Sequence, residues 1–552
     1  MAKKIIDAKL FKKMIINGAV NLKNHQAEVD KLNVFPVPDG DTGTNMSMTM
    51  MSGVSEINAL NSDVLVEVTK SLSRGLLMGA RGNSGVILSQ FFRGLHLEVK
   101  QKGFLEFTVD NMIDCLINSY KVAYKSVMQP VEGTILTVTR EAGEYLDKTR
   151  DEYDNMTELF LAYHKEAKES LLRTPDLLPV LKEAGVVDSG ATGFVKVFEG
   201  MELALNGTML ESTEPVSAEE YDSKTNGSKE VDIKFTYCTE FIVRLKDKNS
   251  FEESDLRTPY SLMGDSLVLV VDDDLCKVHV HTNRPGRAME IAQRYGDFVK
   301  IKVENMKLQH SELLASNKKE ENSEIIEENA EPSEYGIIVV CFGDGIKSTF
   351  EELGADYVID GGQTMNPPTE QFVKAINYVN AKNVLIIPNN GNVILAAEQA
   401  AKFVEERQNV RVVKAKTVPQ GYSAIMNFDS NNDIDTNLEE MTEAMGEVGS
   451  GEVTYAVRDT EINGVKITTG DFMGIANGDI VKSTKERIDA AKAILDTLVN
   501  EDTAIVTIFK GNDAVDEEVT NISNYAESLN EDLEVEVIEG NQEIYSYILA
   551  VE

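Results

Sequence analysis

The pattern of hydrophobic and polar positions changes twice along the chain and divides it into three segments. In residues 1–205 apolar positions recur at helical spacing, as in 112–127, and clusters of β-branched residues are few, which predicts helices. Residues 231–315 contain short strand-like runs beside one helical stretch at 288–295. Residues 335–552 alternate apolar strand-like runs with helical stretches, the pattern of an α/β sheet.

Two stretches between these segments have the composition of linkers. Residues 206–230 and 316–334 lose the hydrophobic periodicity and are rich in small, polar and charged residues. The second stretch contains seven Glu and two Lys, so repulsion between like charges favours an extended spacer. The sequence therefore predicts an all-α domain, a small α+β domain and an α/β domain.

Negative charge dominates the composition. The 552 residues include 54 Lys and Arg against 92 Asp and Glu, so 54 − 92 gives a net charge of −38. Such a surface repels phosphate backbones and anionic lipid headgroups, so we expect no nucleic-acid binding and no direct insertion into a membrane. Residues 335–552 carry 15 basic and 38 acidic side chains, so 15 − 38 gives −23 for this segment. More than half of the net charge therefore lies there, which favours a protein partner with a basic docking face.

The cysteines and the N-terminus indicate a reducing compartment. Four cysteines scattered over the chain are too few for a disulfide framework. The basic N-terminus is followed by helical spacing rather than by the apolar core of a signal peptide. No apolar run approaches the roughly 18 residues of a membrane span. We expect a cytoplasmic protein.

One loop carries the strongest chemical signal, Asn33-Val-Phe-Pro-Val-Pro-Asp39-Gly-Asp41-Thr-Gly-Thr44-Asn45. Its prolines restrict the backbone and its glycines permit a tight turn. Asp39 and Asp41 place two carboxylates in one turn, which suits Mg²⁺ with water and substrate phosphates completing the shell. From these residues alone a turn without metal is an equally good interpretation.

Two further elements have small residues at predicted helix starts. Gly82-Asn83-Ser84-Gly85 would let backbone N–H groups approach an anion, where the helix dipole favours phosphate. Asp188-Ser189-Gly190-Ala191 is a similar helix start with an acid beside it. The sequence contains no Walker A motif and no protein-kinase signature. A nucleotide would therefore bind through another architecture.

These three motifs resemble the nucleotide-binding domain of dihydroxyacetone kinases, and the whole chain resembles the ATP-binding kinase component of bacterial fatty acid kinases. The resemblance implies a helical barrel that binds ATP and Mg²⁺ at its mouth. It implies that Asp39 and Asp41 bind the metal and that Asn33 or Asp30 takes the place of a further Asp. It implies these nucleotide contacts: Thr44, Asn45, Gly82, Asn83, Ser84, Gly85, Asp188 and Gly190.

The implied catalysis is phosphoryl transfer by positioning and charge neutralisation. Asp39 and Asp41 would act through the metal, and Arg173 is a candidate for stabilising charge that develops on the transferred phosphate. An equally good interpretation of Arg173 is a surface residue that caps the next helix.

The middle segment contains a candidate zinc site. His279 and His281 alternate on one predicted strand, and Cys238 lies on an earlier one. If these strands are neighbours, the three side chains suit Zn²⁺, with Glu240 or water as fourth ligand and Cys276 as a rival. A pair of hydrogen-bonded histidines is the alternative, and the resemblance favours zinc because the middle domain of the family binds zinc at matching positions.

The other histidines and the C-terminal segment are assigned to other roles. His25, His96, His164 and His310 are expected at the surface. The connections within 359–370 and 385–392 are ligand loops or ordinary capped turns, and we favour turns. The resemblance implies that the C-terminal segment docks a partner.

The predicted function is ATP-dependent phosphorylation of a fatty acid carboxylate on a separate fatty-acid-binding protein. The products would be acyl phosphate, for phospholipid synthesis, and ADP. The alternatives are a dihydroxyacetone-type kinase that acts on a small hydroxy-ketone, or a non-catalytic ATP-binding scaffold. A homodimer is left open as an assembly state.

Overall fold

The protein divides into two compact units. The first unit contains Met1–Pro215 together with Pro332–Glu552, and the second contains Val216–Glu331. The first and third segments of the chain thus form one body. The structure, a computed structural model, describes residues 3–33, 40–127, 129–211, 237–246, 251, 254–272, 275–305, 332–361, 366–462 and 464–552.

The N-terminal part of the first unit is helical in the ranges described. Side-chain oxygens of Asp7, Thr108, Thr134 and Asn155 accept the first free N–H groups of their helices, as N-cap residues commonly do. The helices are α1 (Ala8–Asn24), α2 (Gln26–Asp30), α3 (Thr42–Ala59), α4 (Leu65–Met78), α5 (Gly82–Lys102), α6 (Val109–Lys125), α7 (Ile135–Lys148), α8 (Met156–Leu177), α9 (Pro179–Ala184) and α10 (Ser189–Leu205).

An aromatic cluster lies at the centre of this helical part. Phe198 contacts Phe194 with ring centroids 4.7 Å apart and Tyr163 with centroids 4.8 Å apart. Phe91 and Phe160 complete the cluster from α5 and α8. Because these rings come from distant stretches of sequence, their burial fixes the arrangement of α5, α8 and α10.

Two histidines were predicted wrongly at the surface. His96 and His164 are buried, because each finds a polar partner inside the helical body. The Nδ1 atom of His164 lies 2.6 Å from Glu202 Oε2, and that of His96 lies 3.1 Å from Thr69 Oγ1. Burial lowers the pKa of His96. His25 is half-buried, and His310 lies outside the described residues.

The second unit has a four-stranded antiparallel sheet with strand order β2-β3-β1-β4. Its elements are β1 (Tyr237–Leu245), α11 (Ser254–Met263), β2 (Gly264–Asp272), β3 (Leu275–Thr282), α12 (Pro285–Ala292) and β4 (Gly296–Asn305).

The pairing of β1 with β3 bears on the zinc prediction. The register sets Cys238 opposite His281 and Glu240 opposite His279, so the two strands are neighbours as that prediction requires. The side chains of these four residues lie outside the described part of the structure, and zinc stays a prediction. Cys276 packs in the apolar core of this unit.

The C-terminal part of the first unit begins with a parallel sheet of strand order β6-β5-β7-β8. Its strands and helices alternate: β5 (Ser333–Cys341), α13 (Asp344–Glu352), β6 (Tyr357–Asp360), α14 (Thr369–Val379), β7 (Ala381–Ile387), α15 (Ile394–Val404) and β8 (Asn409–Val412). The near-continuous burial of β5 and β7 fits a sheet covered on both faces.

A mixed sheet of order β13-β12-β9-β16-β14-β15 follows, with a separate β10–β11 hairpin. Its elements are α16 (Val418–Met426), α17 (Ile434–Glu447), β9 (Gly449–Tyr455), β10 (Thr460–Ile462), β11 (Val465–Ile467), β12 (Phe472–Ala476), β13 (Asp479–Thr484), α18 (Arg487–Leu498), β14 (Ile505–Lys510), α19 (Asp516–Leu529), β15 (Glu534–Glu539) and β16 (Tyr547–Val551). The predicted order of a helical, a mixed and an α/β region is confirmed.

The parallel sheet packs directly on the helical part. Ala80 and Val86, at the start of α5, are buried in one apolar cluster with Phe372 and Val393. Within the described ranges, the helices are all too short or too polar to span a bilayer. The first unit therefore buries a contact between its two halves at the N-terminal end of α5.

The aromatic cluster gives a stability prediction. We expect Phe198→Ala to lower the free energy of unfolding by about 3–5 kcal/mol, because a buried ring leaves a cavity among rigid neighbours. Leu172→Ala is the control, since Leu172 lies on α8 with 71% of its surface exposed. Urea unfolding followed by far-UV circular dichroism measures both, and equal midpoints would contradict the assigned core.

Candidate active site

A pocket lies where α3, α5 and α10 begin. Its volume is about 310 Å³, within the range of small-molecule sites. Its polar lining comes mainly from the first residues of the three helices and the residues before them: Asn33, Asp41, Thr42, Asn45, Gly82, Asn83, Ser84, Asp188, Ser189 and Asn392. Because each helix N-terminus presents unpaired N–H groups and partial positive charge, the pocket favours an anion.

Asp41 precedes the first residue of α3 and lines the pocket. Its Oδ2 atom accepts a hydrogen bond from Asn366 Nδ2 at 2.7 Å. The neighbouring Thr42 Oγ1 donates to Asn33 Oδ1, also at 2.7 Å. The turn before α3 thus brings one carboxylate and one amide into the pocket wall. Asp39 lies outside the described residues.

Asp30 and Thr44 fasten this turn from behind. Asp30 accepts hydrogen bonds from the Thr44 backbone N–H at 3.0 Å and from Thr44 Oγ1 at 2.9 Å. Burial raises the pKa of Asp30, and the hydrogen bonds from Thr44 oppose that rise. Neither side chain is among those that line the pocket. The structure therefore does not bring Thr44 together with the other predicted contacts.

The start of α5 requires glycine at position 82. Gly82 has φ of 58°, in the left-handed region, and a Cβ atom there would lie 2.8 Å from Asn45 Nδ2. Asn45 is buried and lines the pocket with Asn83 and Ser84. The close approach of α5 to Asn45 forms this side of the pocket.

The other two predicted glycines are packing positions. A Cβ atom on Gly85 would lie 2.5 Å from Thr49 Oγ1, and one on Gly190 would lie 3.2 Å from Ser84 Oγ. Their lack of side chains lets α5 approach α3 and lets α10 approach α5. Neither glycine is among the residues that line the pocket.

Asp188 is the carboxylate at the start of α10. It accepts a hydrogen bond from the Ala191 N–H at 2.7 Å. Burial raises the pKa of Asp188 to about 6, although the backbone N–H groups of Ala191 and Ile135 oppose this rise. A carboxylate with this pKa is poorly hydrated, and a cation or a proton in the pocket would stabilise it.

One wall of the pocket is apolar. It is formed by Leu32 and by three residues in and before the short helix α9, namely Leu178, Val180 and Leu181. Sequence reasoning missed these residues because they have the spacing of an ordinary helical stripe. It also missed Thr42 and Ser189, although both stand beside residues that the motifs singled out. An apolar wall facing polar helix ends suits a ligand with a flat ring and an anionic tail.

Arg173 is not among the residues that line the pocket. Its guanidinium donates to Glu141 at 2.7 Å and to Glu166 at 2.9 Å, and these hydrogen bonds raise the pKa of Arg173. The side chain is 46% exposed. This placement matches the alternative interpretation of Arg173 as a surface residue.

The C-terminal part contributes to the pocket through two connections. Asn392, between β7 and α15, lines the pocket and accepts a hydrogen bond from Asn83 Nδ2 at 3.3 Å. Asn366, between β6 and α14, reaches Asp41. From the sequence, ordinary turns were favoured here. The available signal was their position at the carboxyl ends of parallel strands, where α/β sheets bind ligands.

The oxygen atoms in the pocket suit a hard cation. In the part of the chain that the structure describes, no three His, Cys, Asp or Glu side chains form a metal-binding group. Asp41 and Asp188 are the carboxylates of the described lining, with Asn33 as an amide. Mg²⁺ commonly binds one or two carboxylates and completes its shell with water and phosphate oxygens. The described residues therefore fit Mg²⁺ bound together with a phosphate ligand.

Comparison with known proteins identifies the family. Residues 36–203 match the model of the DAK2 domain. Residues 234–313 and 336–552 match two models built from fatty acid kinase proteins, the FakA-like middle domain and the FakA-like C-terminal domain. Protein YloV of Bacillus subtilis is 45% identical over 565 residues, covering 100% of both chains. The chain belongs to this FakA-like fatty acid kinase family. The predicted resemblance is confirmed, and the DAK2 domain indicates a kinase that uses ATP.

Other members and some solved structures are also similar to this chain. An uncharacterized protein of Staphylococcus epidermidis is 44% identical over 559 residues, 99% of each chain. A DegV family protein of Ruminococcus gnavus, solved with vaccenic acid, shares 13% identity over 40% of this chain and 99% of its own, with a TM-score of 0.31. The dihydroxyacetone kinase of C. freundii shares 19% identity over 37% of this chain and 35% of its own, with a TM-score of 0.27. These two TM-scores are too low to establish a shared fold.

The raised pKa of Asp188 predicts how stability depends on pH. A folded-state pKa of about 6, against an ordinary value of 3.8, means that the folded protein holds this proton more tightly than the unfolded chain. The resulting stability is fully present below the ordinary pKa and is lost as pH rises through about 6.

Asp188→Asn removes this proton from the balance. We expect its unfolding temperature, relative to that of the unaltered protein, to be a few degrees higher at pH 7.5 than at pH 5. Differential scanning fluorimetry without added metal measures the difference. A difference that does not change with pH, or that falls as pH rises, would contradict the assigned burial of Asp188.

Proposed function

We propose that this protein transfers the γ-phosphate of ATP to the carboxylate of a fatty acid bound to a separate fatty-acid-binding protein. The products are an acyl phosphate, which supplies phospholipid synthesis, and ADP. The observation that carries the proposal is the meeting of three helix N-termini around Asp41 and Asp188 in one pocket. Such a pocket suits a polyphosphate accompanied by a divalent cation.

The described residues divide the binding of Mg²⁺-ATP among them. The N–H groups at the starts of α5 and α10 would hold phosphate oxygens, with Asn83 and Ser84 beside them. The apolar wall of α9 would face the base. Mg²⁺, when bound, neutralises charge on the phosphates and is assigned to Asp39 and Asp41.

Asn33 is the better candidate than Asp30 for the further metal ligand. Asn33 lines the pocket, whereas both carboxylate oxygens of Asp30 accept hydrogen bonds from Thr44. Asp188 also lines the pocket, and its poor hydration suits a contact with the cation or with its bound water. We assign no catalytic role to Arg173, because two glutamates hold it away from this lining.

The reaction needs no covalent step on this chain. A carboxylate oxygen of the fatty acid attacks the γ-phosphorus, and the bond from that phosphorus to the β,γ-bridging oxygen breaks. The electron pair of that bond leaves with ADP, so the acyl phosphate keeps both carboxylate oxygens. The helix dipoles and the pocket carboxylates act by holding ATP and its cation in line for this attack.

A separate protein is the proposed carrier of the acyl chain. The apolar wall of the pocket consists of four aliphatic side chains, which can face a nucleobase but cannot enclose a long acyl chain as well. The C-terminal segment from Tyr335 to Glu552, with 15 basic and 38 acidic residues and so a net charge of −23, is the proposed docking region. Electrostatic attraction to a basic partner surface would be screened by salt.

The reaction is tested by following ADP with Mg²⁺-ATP and oleate, with and without an acyl-binding partner. We expect ADP and hydroxylamine-trapped acyl phosphate to form when the partner is present, because the partner holds the acceptor. Turnover of dihydroxyacetone without a partner would support the small-molecule kinase instead. Binding of ATP without any turnover would support the scaffold.

Asp41→Asn tests the assignment of the site within the same assay. We expect at least about a 100-fold loss of turnover, because the variant weakens the hold on the cation that stabilises the transferred phosphate. Asp63→Asn is the matched control, since Asp63 is half-exposed and pairs with Lys9 at 3.3 Å. Full turnover in Asp41→Asn would contradict the assigned pocket.

Zinc in the middle unit is a separate part of the proposal. The register of β1 and β3 sets Cys238 opposite His281 and places His279 two residues away on the same strand. We expect about one zinc ion per chain in protein purified without chelators, and its loss in Cys238→Ser. Elemental analysis decides this, with Cys115→Ser, in the helical core, as the control. Equal zinc in all three proteins, or none in any, would exclude the site.

A further inference from the structure

Asn366 connects the two halves of the first unit at the pocket. Its side chain is 1% exposed. Its Nδ2 donates to Asp41 Oδ2 at 2.7 Å, and its backbone oxygen accepts from Arg81 Nη1 at 3.1 Å. Three residues later, the Thr369 N–H donates to the Ala80 oxygen at 3.2 Å. Asn366 is therefore fixed against the helical part by its main chain as well as by its amide.

The amide oxygen of Asn366 faces a different situation. An ionised carboxylate only accepts hydrogen bonds, so the amide nitrogen must be the atom that faces Asp41. The opposite atom, Asn366 Oδ1, is buried and has no hydrogen-bond partner among the described residues. Buried acceptors are rarely left without a donor, and an exception indicates a water, an ion or a ligand.

A second acceptor in the same pocket is also buried without a partner. Asn83 Oδ1 lacks a donor within the described structure, while its Nδ2 is held by Asn392 Oδ1 at 3.3 Å. Each of the two C-terminal connections thus holds one polar group of the helical part. Two unpartnered oxygens at one pocket indicate that a ligand with several donors belongs there.

We propose that Asn366 is a positioning residue that completes the outer shell of the cation at this pocket. Its Nδ2 orients the Asp41 carboxylate, and its Oδ1 accepts a hydrogen bond from water bound to the cation. Mg²⁺ usually keeps several of its waters, and outer-shell hydrogen bonds orient the groups that bind a metal. The inference rests on the proposed function, since it requires a cation at Asp41.

The packing around Asn366 makes this role mechanically feasible. Ala80 and Val86 from the helical part are buried with Val393 in one cluster. Gln90 Nε2 donates to Gln399 Oε1 at 3.1 Å across the same contact. The two connections therefore rest on a packed interface rather than on loose loops. The site is incomplete without the C-terminal half.

Reciprocal coupling follows from this arrangement. If docking of the C-terminal half strengthens cation binding through Asn366, then binding of the cation with nucleotide must strengthen that docking by the same free energy. The start of α14 (Thr369–Val379), which is tied to Ala80, should report this coupling directly.

The test uses the full chain and measures ADP binding rather than turnover. For Asn366→Ala we expect the Mg²⁺ concentration at half-saturation of ADP binding to rise by about 10–100-fold, the usual effect of losing an outer-shell partner. ADP affinity in EDTA should be unchanged. Asn377→Ala, an exposed asparagine on α14, is the control and should match the unaltered protein. Equal half-saturation in Asn366→Ala and the control would overturn the inference.

Asn366→Asp distinguishes positioning from a merely structural role. It places a second carboxylate beside Asp41, so repulsion should lower the unfolding temperature without metal. Mg²⁺ should then raise the unfolding temperature more in this variant than in the unaltered protein, because the cation relieves the repulsion. A structural role alone would lower both temperatures equally, and that result would also overturn the inference.

Hydrogen exchange on the unaltered protein keeps the inference testable if the variants do not fold. Mg²⁺ with ADP should increase the protection of amides at the start of α14, and unchanged protection would count against the coupling. Absence of Mg²⁺-dependent ADP binding in the unaltered protein would remove the proposed function together with the inference. Binding in that protein with no effect at Asn366 would remove the inference alone.

Discussion

The positive ends of three helices, held around two poorly hydrated carboxylates, are the constraint on which the rest of the site depends. Asp41 and Asp188 stand at the N-caps of α3 and α10. The helix dipoles favour their negative charge, whereas burial raises the pKa of Asp188 to about 6. A cation bound with a phosphate ligand satisfies both the carboxylates and the helix N–H groups. This balance explains the fit to Mg²⁺-ATP.

The remaining architecture holds these helix ends in place. The aromatic cluster around Phe198 fixes α5, α8 and α10 from within. The absence of side chains at Gly85 and Gly190 lets the helix starts come close together. The parallel sheet then packs on the start of α5, with Ala80 and Val86 in its apolar cluster. A kinase domain and an α/β domain are thus joined at the pocket itself.

Local motifs were predictable because they are encoded by neighbouring residues. Gly82, Asn83 and Ser84 indicate a helix start, and Asp188 indicates another, but their meeting in one pocket came from resemblance to a family. Thr44 was assigned to the nucleotide, because no sequence pattern shows that Asp30 binds it instead. The contact between Asn366 and Asp41 spans 325 residues, and turn chemistry alone cannot reveal such a pairing.

The central claim is transfer of phosphate to a fatty acid carboxylate, and oxygen labelling tests it most directly. Oleate labelled with ¹⁸O in both carboxylate oxygens is incubated with the protein, a fatty-acid-binding partner and Mg²⁺-ATP, and the product is cleaved with hydroxylamine. Hydroxylamine attacks the carbonyl carbon, so the released phosphate keeps the oxygen that attacked the γ-phosphorus. The account predicts phosphate that carries one ¹⁸O atom. Release of unlabelled phosphate alone would contradict it.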